Sequence, residues 1–372
     1  MSSEVLIKNA LEQALSIWKV DDIDLVARGP KGFDWTPGNY LVSVRAVEAN
    51  KDDQSYQTLS IMGVEPRKGG VRLSVETKVV SDFPYDNPTA CSRLNDLALS
   101  ASAAYSLVYP PAVFFGMYEG MKAPCDLSLF SSIYIDTNLA GWLPRFFATM
   151  AIIQPIHAEI HGDNLPGLLG EGQSAFVQNH KRHIVDDILK VSEQIFLPAG
   201  VSSSKWLGSD EFKNFANSFG NTEGCFANGD PTGLSAEIPF GQDSILIRCL
   251  TDHYHTELGN GLLVTMQLPF WADDNLVEAA PLLNFMESRS WTESPQFGSW
   301  HFHPSSNGAA PTITHTTFVP NALYKQGLVQ NFVFWEMARA RWVRQLFFSE
   351  LEDLTMPEII DVRQKLRSLM AG

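Results

Sequence analysis

The sequence predicts an α+β fold of two tandem domains, each an antiparallel sheet flanked by helices. The first observation is period-two alternation in residues 71–78, with apolar and polar side chains facing opposite ways. This pattern is typical of an antiparallel sheet with one face in water. The apolar side is Val71, Leu73 and Val75 with Thr77, and the polar side is Arg72, Ser74, Glu76 and Lys78.

The second observation is a strand, turn and long helix that occurs twice. The clearer copy is residues 317–348, where a strand ends at Phe318, Val319 and Pro320 and a long helix follows. At about 100° per residue, its apolar positions stay within half a turn, so this helix must bury one face. That stripe is Leu328, Phe332, Trp335, Trp342 and Leu346. About 185 residues earlier, a strand at 133–135 precedes a helix with a similar stripe, namely Leu139, Trp142, Leu143, Phe146, Met150 and Ile153.

The first domain is predicted to span residues 1–165. Ser2 or Ser3 can cap an amphipathic helix, and a loop rich in Asp, Gly and Pro ends it. Three strands (40–46, 57–64 and 71–78), a helix (86–104), two extended regions (107–118 and 127–135) and a helix (138–160) follow. The predicted order is α-β-β-β-α-β-β-α.

The second domain is predicted to span residues 173–350, after the turn-rich segment 161–172. It begins with a helix at 177–195 and contains a Gly/Ser/Asn-rich insertion at 199–233, whose aromatic residues indicate partial order. Strands at 236–240, 244–251 and 262–268 follow, then a helix that opens at Ala272, two strands and the closing helix. A separate C-terminal helix is expected at 355–372.

The two halves correspond in order more than in sequence, with Leu94-Asn95 matching Leu283-Asn284 in the middle helices. Together with the FGSWHF strand at 297–302 and the closing strand–turn–helix units, this order resembles the type III secretion chaperone-like fold, which YbjN-type bacterial proteins share. The resemblance implies protein binding, often with dimeric sheet packing, and the family has no shared catalytic residue to carry over.

Composition narrows the class of partner. The net charge is −15, with 42 acidic and 27 basic residues. An acidic surface disfavours nucleic acid and anionic membranes and favours a basic protein partner. The N-terminus does not have the pattern of a signal peptide, and no apolar stretch approaches 18 residues, so we expect a cytoplasmic protein without membrane insertion. The four cysteines show no CxxC spacing, which argues against a zinc ribbon or a disulfide framework.

Histidines are the main candidates for metal chemistry. His157 and His161 are four residues apart, a spacing that can chelate a metal from one helix face, but they do not form HExxH. Asn307-Gly308 predicts a tight hairpin turn that pairs His301 with Thr314, His303 with Thr312 and His315 with Trp300. His301 and His303 would then lie on a solvated polar face, and His315 would lie among apolar residues on the other. His253 and His255 are expected in a solvated loop. We therefore predict no cofactor and assign no metal ligands.

Arg339 is the anomaly of the closing helix, because it lies inside the apolar stripe between Trp335 and Trp342. A buried guanidinium needs a carboxylate such as Glu336, or one from another chain, and it can also stack on indole rings. A structural arginine and a binding hot spot are both open. The candidate binding residues are Trp335, Arg339 and Trp342.

The predicted function is a non-enzymatic protein-binding module of bacterial type that acts as a chaperone-like, adaptor, immunity or regulatory protein. A homodimer is also open. One alternative is a metal-dependent or small-molecule enzyme that uses the histidine clusters, although no GxSxG, P-loop or Cys–His arrangement is present. The other alternative is a scaffold subunit of a larger assembly.

Overall fold

The computed structural model describes residues 19–20, 23–24, 38–42, 45–46, 60–67, 70–83, 106–108, 125–136, 173–174, 201–220, 222, 224–240, 243–251, 253–255, 259–268, 279–289, 298–303 and 312–348. The chain divides into two compact units, one formed by Met1–Pro84 with Lys122–Val191 and the other by Tyr85–Met121 with Ser192–Gly372. The predicted helices at 2–18, 86–104, 138–160, 177–195 and 355–372 lie outside the described residues. The same holds for His157 and His161, for the 161–172 boundary and for the Asn307-Gly308 turn.

The described part of the first unit is antiparallel sheet. Its strands are β1 (Lys19–Val20), β2 (Ile23–Asp24), β3 (Gly38–Val42), β4 (Arg45–Ala46), β5 (Ser60–Arg67) and β6 (Gly70–Phe83), followed by β8 (Cys125–Asp136) and β9 (Gln173–Ser174). A small sheet has the order β1-β2-β4, and a larger one has the order β3-β5-β6-β8 with β9 also on β6. The strands predicted at 57–64, 71–78 and 127–135 correspond to β5, β6 and β8, and β6 and β8 are longer than predicted. The single strand predicted at 40–46 is instead two strands, β3 and β4, which belong to different sheets, and β1 and β2 were not predicted.

The polar side of the alternation in β6 is not fully exposed to water, although the sequence predicts a face in water. Leu73 is fully buried as expected, but Arg72, on the face predicted to be wet, is only 8% exposed. Its guanidinium donates to the Ser132 hydroxyl at 3.3 Å. The expectation of a solvated face is wrong at this position, because polar identity does not reveal what packs over a sheet.

The described part of the second unit is a seven-stranded antiparallel sheet with helices, together with the short strand β7 (Ser106–Val108), which is not one of the seven. The other elements are α1 (Glu211–Phe219), β10 (Phe226–Asp230), β11 (Gly233–Phe240), β12 (Asp243–Leu250), β13 (Tyr254–His255), β14 (Gly259–Leu268), α2 (Ala279–Arg289), β15 (Ser299–His303), β16 (Thr312–Pro320), a 3₁₀ turn (Asn321–Leu323) and α3 (Leu328–Phe348). The sheet order is β10-β11-β12-β14-β16-β15, with β13 also on β14.

The two faces of this sheet differ in composition. The face that α3 covers, here called the helix face, is apolar and buried. It includes Ile247, Cys249, Val264, Met266 and Ile313, each of them fully buried. The opposite face, here called the histidine face, carries Gln267, Thr314 and His301 in one cross-strand row. Burying the helix face supplies the main hydrophobic stabilisation of this unit.

The segment predicted as an insertion contributes to the same sheet and core. Trp206 and Phe212 are fully buried, and β10 pairs with β11. The α1 helix crosses β10 so closely that a Cβ on Gly229 would lie 2.2 Å from the Phe212 carbonyl oxygen. Asn321, fully buried after β16, accepts from the Lys205 amide at 2.9 Å and fixes the start of the segment.

One edge of the sheet is closed by a side chain. Asn284 on α2 accepts from the backbone amide of Trp300 at 2.8 Å and donates to the Trp300 carbonyl at 3.0 Å. The amide side chain thereby satisfies both backbone groups at the free edge of β15, in place of a neighbouring strand. This is the role of the asparagine in the Leu283-Asn284 pair.

The described residues are a mixed α/β structure of antiparallel sheets with few helices. The predicted strands at 236–240, 244–251 and 262–268 correspond to β11, β12 and β14. The tandem repeat and the common element order of its two halves stay predictions. Among the described helices, none has the length and apolar character that would cross a membrane.

Candidate functional site

The β15–β16 hairpin positions most of the polar side chains that could have a function. Its register pairs Trp300 with His315, His301 with Thr314 and His303 with Thr312, as the predicted turn requires. Because paired residues share a face, His315 lies on the helix face, while His301 and His303 lie on the histidine face. The hairpin therefore separates two polar clusters.

The ion cluster lies on the helix face and consists of Glu287, Trp300, His315, Glu336 and Arg339. Arg339 Nε donates to Glu287 Oε1 at 2.8 Å, and Arg339 Nη1 donates to Glu336 Oε1 at 2.5 Å. Trp300 Nε1 donates to Glu287 Oε2 at 2.7 Å. His315 Nδ1 lies 3.1 Å from Glu336 Oε2, so this nitrogen carries the donated proton. Each carboxylate thus joins two elements of the fold.

Burial makes the electrostatics of this cluster strong. Burial alone would raise the pKa of Glu336, but the attraction of Arg339 and His315 outweighs it and holds that pKa below its usual value. Burial alone would lower the pKa of Arg339, and the attraction of Glu287 and Glu336 raises it instead. Burial, with a smaller contribution from Glu336, raises the pKa of the Cys249 thiol. Glu336 and Arg339 therefore remain charged in the core, where each depends on the other.

Structurally, the ion cluster joins three elements. Arg339 on α3 binds Glu287 on α2, and Glu287 binds Trp300 on β15. With the Asn284 contacts to the Trp300 backbone, this fixes α2 against both the edge strand and the long helix. These hydrogen bonds and the ion pair have a structural role, since they hold α2, α3 and β15 together.

The histidine cluster lies on the other face and consists of Ser299, His301, His303, Thr314 and Thr316. The Nε2 atoms of His301 and His303 are 3.0 Å apart, and Thr316 Oγ1 is 3.2 Å from His301 Nε2. His301 is 2% exposed, whereas His303 is partly exposed. The Thr314 hydroxyl is buried without a hydrogen-bond partner.

Both imidazoles of the histidine cluster resist protonation. Burial lowers the pKa of His301 to about 3, helped by repulsion from His303 and His315, while a backbone hydrogen bond with Ser299 acts the other way. Burial also lowers the pKa of His303. The prediction that this face is solvated is wrong, because His301, Thr314 and Thr316 are each at most 6% exposed.

His253 and His255 lie near the same face. Both pack their rings against Phe318, at centroid distances of 5.7 and 5.4 Å. His253 is exposed and His255 is partly exposed. They therefore contact a buried aromatic ring from a partly solvated position.

The candidate binding residues occupy different environments on α3. Arg339 is 1% exposed and binds Glu336, the partner expected from the sequence, as well as Glu287. Trp335 and Trp342 are half-buried, and Trp335 packs edge-on against Phe332 at 5.1 Å. The buried face of the helix therefore centres on Glu336, Arg339 and Val343, and the two tryptophans lie at its border. Their role in binding stays a prediction.

Glu287 was missed by reasoning from sequence. A buried arginine can pair with two carboxylates, so the sequence indicates that Arg339 needs a second acidic partner. It does not indicate which acid, because Glu287 is 52 positions away on another helix. One acid among the apolar residues of α2 does not by itself identify the partner.

A third feature is the exposed half of the histidine face. Phe226 is 71% exposed on β10, and Leu250 is 41% exposed on β12. We call Phe226, Leu246 and Leu250 the edge patch. One cross-strand row links this patch to the histidine cluster through Phe226, Glu237, Leu246, Gln267, Thr314 and His301.

Within the described ranges, no group of three or more histidine, cysteine or acidic side chains could hold a metal ion. Cys225 and Cys249 are both buried as free thiols. Comparison with protein-family models, curated proteins and solved structures gave no match to the chain. The chaperone-like resemblance therefore stays an expectation.

Proposed function

We propose that this protein is a non-enzymatic protein-binding module, of the chaperone-like, adaptor or regulatory kind, and that it binds a polypeptide partner at the edge patch. The observation that carries the proposal is Phe226, a large aromatic side chain 71% exposed on the terminal strand of a sheet. Aromatic residues in such positions commonly anchor protein interfaces.

The backbone of β10 supports the same conclusion. The strand lies at the end of the sheet order, and no other described strand pairs with its outer side. An edge strand presents amide and carbonyl groups that can pair with an added strand. At the opposite edge, Asn284 satisfies these groups on Trp300. The protein thus closes one edge with a side chain and presents an exposed aromatic at the other.

Charge favours a basic partner. The net charge of the chain is −15, and the exposed Glu237 lies directly across from Phe226. An extended segment paired with β10, with an apolar side chain toward Phe226 and a basic side chain toward Glu237, would match this edge. Opposite charge across an interface also speeds association.

The test begins with a photo-crosslinking phenylalanine analogue placed at Phe226 and, as a matched control, at Phe334, which is 45% exposed on α3. We expect a discrete crosslinked polypeptide from position 226 and a different or weaker pattern from position 334. The partner is then purified, and its Kd is measured by calorimetry for the wild type, Phe226→Lys and Val201→Ala.

We expect Phe226→Lys to weaken binding at least about tenfold, since central aromatic anchors contribute about 1.4 kcal/mol or more. Val201→Ala should leave the Kd unchanged, because Val201 is exposed outside the edge patch. An unchanged Kd for Phe226→Lys, together with a weakened one for Trp335→Ala or Trp342→Ala, would move the interface to α3 and overturn the edge-patch assignment.

A further inference from the structure

The histidine cluster has the geometry of a metal-binding pair, independently of the edge patch. His301 and His303 are two positions apart on β15, so both side chains project from the same face. Their Nε2 atoms lie 3.0 Å apart and Thr316 Oγ1 is 3.2 Å from His301 Nε2. Three donor atoms therefore surround one small region of the sheet surface.

We propose that His301 and His303 bind one divalent transition-metal ion through their Nε2 atoms, with the Thr316 hydroxyl beside it and the remaining positions filled by water. Metal–imidazole bonds of about 2.0–2.1 Å place two ligand nitrogens roughly 2.9 Å apart at a right angle and roughly 3.4 Å apart in a tetrahedron. The observed separation lies within this range. Binding an ion would replace the direct contact between these two nitrogens.

The ligand types define the class of ion. Imidazole suits zinc, nickel and copper, whereas magnesium and calcium prefer carboxylate and carbonyl oxygens. The two histidines are the nitrogen ligands of this cluster, and the other side chains are the hydroxyls of Ser299, Thr314 and Thr316. With two protein nitrogens, the site would leave open positions on the ion, unlike a closed structural zinc site.

The burial of the two histidines is also suitable for binding. His301 is 2% exposed and held firmly, whereas His303 is partly exposed and gives an ion a route from solvent.

The test uses the full chain without an affinity tag, treated with a chelator and then titrated with ZnCl₂ and with CuCl₂ in a calorimeter. We expect one equivalent to bind the wild type, and the electron paramagnetic resonance spectrum of the copper form to show coupling to two equivalent nitrogens.

The decisive variants are His303→Ala and the matched control His255→Ala, since both histidines are partly exposed on the same sheet. Both variants should fold, as circular dichroism will show. His303→Ala should bind zinc at least tenfold more weakly, and His255→Ala should bind like the wild type. Absence of zinc and copper binding would overturn the proposal and leave a direct His301–His303 hydrogen bond. Retention of full affinity in His303→Ala would overturn it as well.

Failure of this test is distinguishable from failure of the proposed function. The partner's Kd at the edge patch is measured with chelator present, and the metal titration is made without the partner. Each result therefore refers to one site.

Discussion

The two faces of the β15–β16 hairpin hold histidines in opposite chemical settings. On the helix face, His315 bonds to Glu336 inside a group of charges that satisfy one another. On the histidine face, His301 lies beside His303 and threonine hydroxyls, where protonation would bring two positive charges together. His301 and His315 thus lie on neighbouring strands of one hairpin but have different roles, because different side chains surround them.

The ion cluster and the histidine cluster tolerate the burial of polar side chains in different ways. The ion cluster keeps its charges because Arg339 contacts two carboxylates. The histidine cluster is buried as neutral groups, and its pKa values are lowered. A buried charge must be paired, while a buried neutral polar group needs only hydrogen bonds. We therefore expect the two faces to respond differently to mutation and to pH.

The largest effect is expected for Arg339→Met. The variant leaves Glu287 and Glu336 buried without their guanidinium, which should lower the free energy of unfolding by about 3–5 kcal/mol. Urea denaturation followed by tryptophan fluorescence measures this loss. Arg344→Met, on the exposed side of the same helix, is the matched control and should be close to the wild type. Equal stability of the two variants would mean that the ion cluster does not hold the helix.

Neutralising both acids sharpens this test. Arg339→Met combined with Glu287→Gln and Glu336→Gln removes the unpaired charges, so we expect it to recover part of the loss. A triple variant less stable than Arg339→Met alone would contradict the argument that unpaired carboxylates cause the damage.

A smaller effect is expected from pH on the histidine face. In the folded protein the pKa of His301 is lowered from 6.5 to about 3. Between these two pH values, His301 binds a proton in the unfolded chain but not in the folded one. The contribution of His301 to stability is therefore fully present above about pH 6.5 and is lost as the pH falls toward 3. The slope approaches about 1.4 kcal/mol per pH unit below pH 6.5, which gives a loss of about 1.6 kcal/mol between pH 6.5 and pH 5.

The control for this prediction uses two histidines in different surroundings. His301→Gln should flatten the slope between pH 6.5 and pH 5, and His253→Gln should retain it, because His253 is exposed. Urea midpoints at half-unit pH intervals give the comparison. The same slope in the wild type and in His301→Gln would show that His301 is protonated in the folded protein.

Much of the hairpin could be predicted from sequence because its determinants are local. The predicted Asn307-Gly308 turn and the period of two imply a register for β15 and β16, and the observed pairs agree with that register. Arg339 was conspicuous because a charge interrupts an apolar stripe, and Glu336 is its neighbour by one helical turn. These features needed no information on distant parts of the chain.

What sequence could not supply depends on packing between distant segments. Burial of Arg72 and of His301 is set by what covers each sheet, which alternation does not report. Trp335 and Trp342 were expected inside the stripe of α3, yet they lie at its border because Glu336 and Arg339 occupy the buried centre. Counting only apolar positions rotates the inferred face of such a helix. Glu287 could not be predicted as a partner of Arg339 because that contact also depends on packing between distant segments.

The smallest effects should come from the two buried threonines of the histidine face. Thr314 and Thr316 share a strand and a face, and both are buried, but only the Thr316 hydroxyl contacts His301. Thr314 Oγ1 has no hydrogen-bond partner. Thr316→Val should therefore cost about 1 kcal/mol, whereas Thr314→Val should be neutral or stabilising, because valine removes an unsatisfied buried hydroxyl with little change in shape. Thermal and urea unfolding of the pair gives the difference directly. If Thr314→Val is the more damaging change, its hydroxyl has a partner in solution, such as a bound water, and the histidine face is more fully hydrogen-bonded than its geometry indicates.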